Sequence, residues 1–210
     1  MVDLKLISEN LISGKAAKVK ELVQQALSEG IEPSKILKEG LIAGMDTVGV
    51  KFKAGEFYIP EVLIAARAMH SGMEILKPQL IKSGAKSSGR FAVGTVKGDV
   101  HDIGKNLVAM MMEGAGFEVL DLGTDVSSDK FVDAVKNKNI EVLGMSSLLT
   151  TTMPMMKETI DALAANGLKG KVKTIIGGAP VTQNYADEIG ADAYSTDAAS
   201  AVDKVKALLK

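Results

Sequence analysis

The apolar residues of this chain change period once, and that change constrains the fold more than any other feature. Up to about Leu80 they recur at helical spacing: Val19, Leu22, Val23, Ala26 and Leu27, then Leu37, Leu41, Met45, Val48 and Phe52, then Val62, Ala66, Met69, Met73, Leu76 and Leu80. With a short helix from Leu4 to Ile12 they make a four-helix bundle with no strand inside it. Pro33 and Pro60 suit first-turn positions, where a missing N–H costs nothing, and Pro78 should end or kink the last long helix. The third and fourth helices are joined by Lys51 to Ile59, a loop unusually rich in large apolar groups.

The stretch from Lys82 to Arg90 is small, polar and basic, as an exposed connection is. Beyond it, strand-like runs alternate with helices. Strands are expected over Phe91 to Val96, Phe117 to Leu122, Val142 to Met145, Val172 to Ile176 and near Ala193-Tyr194. Helices are expected over Lys105 to Ala115, Asp129 to Lys138, Met155 to Asn166, Gln183 to Ile189 and Ala198 to Leu209. Near-continuous apolar strands separated by helices imply a parallel sheet covered on both faces. The expected organisation is therefore a four-helix bundle over residues 1–84, followed by a doubly wound, Rossmann-like or flavodoxin-like α/β domain over 85–210.

Composition narrows the chemistry. The 210 residues, 46% of them apolar, suffice for two small cores. A net charge of -1, with lysines interleaved among acids, offers no attraction for nucleic acid. The absence of cysteine excludes disulfides, thiolate metal sites and iron–sulfur ligation, so redox chemistry must sit on a bound cofactor. The N-terminus lacks a signal-peptide pattern and no apolar run approaches a membrane span, which points to a cytoplasmic protein without membrane partners.

The candidate site begins at Gly98-Asp-Val-His-Asp-Ile-Gly-Lys-Asn106, between an apolar strand-like run and a helix-like one. Open α/β sheets bind their ligands at such junctions. His101 can ligate a metal through one ring nitrogen if something holds the other, and Asp99 is a natural acceptor for that N–H. Gly104 removes the side chain where a bulky ligand would press on the helix start. The same pattern also fits a helix N-terminus capped by Asp99 or Asp102, with His101 a solvated loop residue. Downstream, Met145 to Thr152 and Ile175 to Pro180 fall at the ends of two further strand-like runs.

Taken together, these segments resemble the corrinoid-binding signature of cobalamin-dependent methyltransferases and their methyl-carrier proteins. The resemblance implies that a cobalamin or related corrinoid binds through Gly98, Asp99, Val100, His101, Asp102, Ile103 and Gly104, with His101 ligating the cobalt. It implies that Ser146, Leu148 and Thr150, in the pattern Ser-x-Leu-x-Thr, hold the nucleotide tail, for which Gly177 and Gly178 clear a slot. The segment Phe52 to Val62 is similar to the cap region of methionine synthase, so Phe52, Ile59 and Val62 would shield the methyl group. Thr152 stands where that family has a serine, continuing a relay from His101 and Asp99; the hydroxyl is kept, and the added methyl restricts its rotamer.

The function so implied is that of a corrinoid carrier. It accepts a methyl group on cobalt(I) from a donor-specific methyltransferase and delivers it to a second methyltransferase that serves tetrahydrofolate or coenzyme M. The chain has no room for a methyltransferase barrel of about 250 residues, so it would not complete turnover alone. A corrinoid reactivation protein and a homo-oligomer are both compatible with this reading. The methyl donor stays open among methanol, methylamines, aromatic methyl ethers and betaines. The alternative is a corrinoid-dependent sensor, which would normally add a basic DNA-binding module.

Overall fold

The computed structural model describes residues 2–83 and 87–210. The chain divides into two compact units, one of residues 1–88 with Gly114–Gly116, the other of Gly89–Glu113 with Phe117–Lys210. The boundary expected between residues 84 and 85 lies outside the described residues. At the two ends of the expected connection, Lys82 and Ser83 complete a helix and Arg90 opens a strand.

In the helical unit, α1 (Leu4–Ile12) starts at an N-cap, Asp3, whose carboxylate accepts the Lys5 N–H at 2.9 Å. It is followed by α2 (Ala16–Ser28), by a continuous helical segment α3 over residues 33–53, and by α4 (Ile59–Ser83). Ile7, Leu11, Val19, Val23, Ala26, Leu41, Val48 and Leu76 are completely buried between them. Two glycines let backbones approach. A Cβ on Gly40 would lie 3.2 Å from Ile7, and one on Gly72 would lie 2.9 Å from Leu41.

Three sequence expectations change here. Ile36–Ile42 is π-helical, so the inward step runs five residues from Ile36 to Leu41, and Ile36 rather than Leu37 is fully buried. The helix also does not end at Pro78, one of the two outcomes expected there, but runs on to Ser83. The buried Leu76 and Leu80 anchor it on either side, and that packing outweighs one missing hydrogen bond. Finally, α3 extends to Lys53 and α4 begins at Ile59, which places Phe52 in a last helical turn and Ile59 in a first one instead of in a loop.

The second unit alternates β1 (Arg90–Thr95), α5 (Ile103–Gly114), β2 (Glu118–Asp121), α6 (Ser128–Lys138), β3 (Val142–Ser146), α7 (Pro154–Ala165), β4 (Lys173–Gly177), α8 (Gln183–Ile189), β5 (Ala193–Tyr194) and α9 (Ala198–Leu208). The five strands are all parallel, in the order β2-β1-β3-β4-β5. Ala92, Leu143, Met145 and Ile176 project from one face into a cluster with Phe131, Val135, Met156, Ile160, Ala186 and Ile189, so α6, α7 and α8 cover that side. The alternate residues Phe91, Val93, Val142 and Ile175 are equally buried on the other face. Because β1 has β2 on one side and β3 on the other, the winding reverses at β1 and β3. A crevice therefore opens beyond the carboxyl ends of these strands.

Candidate functional site

Register sets the floor of the site. Thr95 pairs with Ser146 and Ser146 with Gly177, so β1, β3 and β4 end in one row and their outgoing loops emerge side by side. The first loop turns at Gly98, whose φ of 81° suits glycine, and whose N–H is held by Asp125 Oδ1 at 2.8 Å. The turn sends the Asp99 side chain inward, where it is completely buried.

The buried carboxylate is fully engaged. Oδ1 accepts the His101 N–H at 3.0 Å and meets His101 Nδ1 at 2.7 Å. Oδ2 accepts the Leu148 N–H at 2.8 Å, the Thr152 hydroxyl at 2.9 Å and the Leu149 N–H at 3.4 Å. Burial works to raise the pKa of Asp99, but the bonds donated by the His101 and Leu148 amides, the His101 ring and Thr152 outweigh it. The carboxyl is held well below the usual carboxylate range. An ionised carboxylate only accepts, so Nδ1 carries a ring proton, and in the neutral ring Nε2 is the nitrogen that keeps its lone pair. The His101 side chain is 48% exposed, which keeps that nitrogen within reach of a ligand.

The donor set indicates what kind of metal fits. Among the described residues no group of three or more His, Asp or Glu side chains could hold a bare ion. A single imidazole with a carboxylate behind it suits a metal that arrives with its other ligands already in place. The surroundings suit a large apolar group. Val100 and Ile103 flank His101 and are 72% and 71% exposed, and Leu148 and Leu149 on the next loop are exposed as well. A Cβ built on Gly104 meets nothing within 4 Å, so the space beside the start of α5 is open.

The remaining candidates divide by environment. Ser146 is half-buried and Thr150 exposed, and among the described residues neither hydroxyl takes part in a hydrogen bond. Asp102 faces solvent and accepts from Asn106 Nδ2 at 3.1 Å, apart from the Asp99 cluster. Gly177 accepts the Ser147 N–H at 3.2 Å. Gly178 is a crossing point: a Cβ there would stand 1.8 Å from the Ser147 carbonyl oxygen, so the close approach of two loops already demands glycine. In the helical unit Phe52 is half-buried and Ile59 is 41% exposed, whereas Val62 is completely buried and has no surface to offer a ligand.

Several working groups escaped sequence reasoning. The Thr95 hydroxyl, completely buried, donates to the His101 carbonyl at 2.8 Å. Ser147, also buried, lies 2.8 Å from Thr152 Oγ1. Both are polar residues in or next to an apolar strand run, the one signal that could have exposed them. The Leu148 and Leu149 amides carry no side-chain signal at all.

A doubly wound parallel sheet, with a carboxylate-held imidazole at its switch point, defines a cofactor-binding α/β domain. Comparisons with known proteins identify the cofactor. A B12 binding domain model matches residues 89–203, and a second B12 binding domain model matches residues 4–77. The chain is 47% identical to the trimethylamine corrinoid protein of Methanosarcina barkeri over 90% of this chain and 88% of that protein. It is 46% identical to the dimethylamine corrinoid protein of the same organism over 98% and 97%. Among solved structures, a cobalamin-binding protein from Desulfitobacterium hafniense DCB-2 matches with a TM-score of 0.83 and 36% identity over the whole of both chains. A chain of the methanol:cobalamin methyltransferase complex MtaBC from Methanosarcina barkeri matches with a TM-score of 0.84 and 33% identity, over 96% of this chain and 78% of that one. The chain belongs to the B12-binding family of corrinoid proteins.

Proposed function

We propose that this protein carries a methyl group on the cobalt of its corrinoid between two methyltransferases, and that the first of them takes the methyl from a methylamine. The observation that carries the reading is the His101 ring, half-exposed at the strand ends with Nδ1 fixed by a buried carboxylate. When bound, the corrinoid supplies a cobalt centre that takes up a methyl cation equivalent from a donor and yields it to a nucleophilic acceptor. The chain's own residues bind and orient. Asp99 fixes the ring and its tautomer, leaving Nε2 for the cobalt. Val100, Ile103 and Leu148 offer apolar contact to the macrocycle, and the hydroxyls of Ser146 and Thr150, which take no hydrogen bond among the described residues, are available to the nucleotide tail. Exposed carbon on Ile59 and Phe52 can shield the methyl group, a task for which Val62 has no surface.

The methylamine donor is supported by the tri- and dimethylamine corrinoid proteins among the relatives, which are more similar in sequence than the chain from the methanol system. That second structure, a complex, supports docking of the carrier onto a donor-specific methyltransferase. A thiol such as coenzyme M, or tetrahydrofolate, is the acceptor class.

The test is to load the apoprotein with aquocobalamin, reduce it, and offer trimethylamine, dimethylamine or methanol with the methyltransferase specific for each. Methylation with one of the methylamine enzymes and not with the methanol enzyme is expected. Methylation only with the methanol enzyme would overturn the donor. Corrinoid binding without transfer in any system would favour the sensor reading.

A further inference from the structure

Ser147 is a buried hydroxyl that the proposed function does not use. Its Oγ lies 2.8 Å from Thr152 Oγ1 and 3.1 Å from the Leu149 carbonyl oxygen. Thr152 Oγ1 lies 2.9 Å from Asp99 Oδ2 and 3.0 Å from the same Leu149 carbonyl. Two hydroxyl hydrogens thus face four acceptors: the Ser147 and Thr152 oxygens, the Asp99 carboxylate and the Leu149 carbonyl. That carbonyl already accepts the Thr152 and Met153 N–H groups at 3.1 Å and 3.2 Å. A bond to a carboxylate is charge-assisted and about twice as strong as a neutral one, so the Thr152 hydrogen goes to Asp99. The Ser147 hydrogen then goes to Thr152, the shorter of its two contacts, and polarises the Thr152 hydroxyl toward the carboxylate.

We infer that Ser147 is a positioning residue that loosens the grip of Asp99 on the His101 ring. The Asp99 charge is shared between the ring N–H at Oδ1 and the Ser147–Thr152 chain at Oδ2. Stronger donation at one oxygen leaves less charge at the other, and an imidazole with a weaker acceptor behind it is a poorer metal ligand. Ser147 thereby shifts the balance toward release of the imidazole, which a carrier that alternates between ligated and unligated cobalt needs. This inference rests on the proposal that His101 ligates the cobalt.

Ser147→Ala provides the test, with Ser147→Thr as the variant that keeps a hydroxyl. In the apoprotein at one fixed pH, the His101 Nδ1 proton resonance should move downfield in the alanine variant, reporting a shorter bond to Asp99. After loading with aquocobalamin, the equilibrium between histidine-ligated and unligated forms, read from the absorption spectrum at that pH, should rise about threefold toward ligation. This is less than the 10- to 100-fold typical of losing a metal-supporting partner outright. The threonine variant should return both readings to the wild-type values. An unmoved or upfield proton, or a ligation equilibrium that stays or falls, overturns the role of Ser147. If the wild-type spectrum shows no histidine ligation and His101→Ala leaves it unchanged, the ligand assignment fails instead, and the inference falls with it whatever the proton shift.

Discussion

One oxygen of Asp99, Oδ1, accepts both the main-chain N–H of His101 at 3.0 Å and its ring Nδ1 at 2.7 Å. Backbone and ring are therefore fixed by the same atom, and the ring cannot turn without breaking a bond inside a buried site. The other oxygen is held by the loop after β3, which ties the histidine to a second strand end.

Asp99→Asn is isosteric but replaces a charged acceptor with a neutral one, and its NH2 group meets donors at one oxygen position. Histidine ligation in the loaded protein should weaken about 10- to 100-fold. The absorption spectrum of the cobalamin-loaded variant measures this directly, and a spectrum like that of the wild type would remove Asp99 from the ligand assembly.

Thr152→Val removes a donor that competes with His101 for the same carboxylate. The expected direction is stronger histidine ligation, read from the same spectrum. Weaker ligation would mean that Thr152 supports the ring by position and not by competition.

Gly104 and Gly178 should behave oppositely. Gly104→Ala places a methyl in open space at a helix start and should stabilise the apoprotein by up to about 1 kcal/mol while lowering corrinoid loading. Gly178→Ala drives a Cβ to 1.8 Å from the Ser147 oxygen at a φ of 136°, and should cost the apoprotein several kcal/mol, on the order of 3. Thermal melts of the apoproteins, with cobalamin titrations alongside, separate the two effects.

Lys105 and Asp121 form an asymmetric ion pair. The lysine is 2% exposed and the aspartate side chain 45%. Removing the partner of the buried charge is the costlier change. Asp121→Ala should destabilise by about 3 kcal/mol and Lys105→Met by clearly less, since the stranded carboxylate still reaches water. Denaturant unfolding of both variants checks the order.

Asp197 caps α9, accepting the Ser200 N–H at 2.8 Å and the Ser200 hydroxyl at 2.6 Å. Burial tends to raise its pKa, but the Ser200 hydroxyl and amide, with Thr196, lower it below the ordinary value. The unfolded chain therefore binds its proton first as pH falls. The stabilisation is complete above about pH 4 and is lost as pH drops through the folded value. Asp197→Ala should cost about 1 kcal/mol at neutral pH, and the gap to the wild type should close in acid. Melting curves between pH 7 and pH 3 test both statements.

Most of the architecture is legible from hydrophobic period. The helical spacing of apolar residues in the four bundle helices and the short apolar runs of the sheet are local patterns, and local patterns survive in one dimension. Exceptions occur where packing overrode propensity. The π-helical turn at Ile36–Ile42 and the passage of α4 through Pro78 are decided by which side chains find partners in the bundle.

The site divides in the same way. Asp99, His101 and Gly104 stand within six residues of one another, so the sequence presents them together as a candidate ligand with its supports, in a pattern that a capped helix start fits as well. That Asp99 also holds Leu148 and Thr152, about fifty residues away, depends on β1 and β3 being neighbours in the sheet. Amides have no sequence signature, and the buried hydroxyls of Thr95 and Ser147 gain meaning only from the partners that the strand order brings to them. By itself, the sequence determined most of the elements, their order and the place of His101 just beyond a strand end, because these follow from local chemistry. Only the tertiary structure decided which groups share the Asp99 charge, since that division depends on contacts between loops that are adjacent in space and distant along the chain.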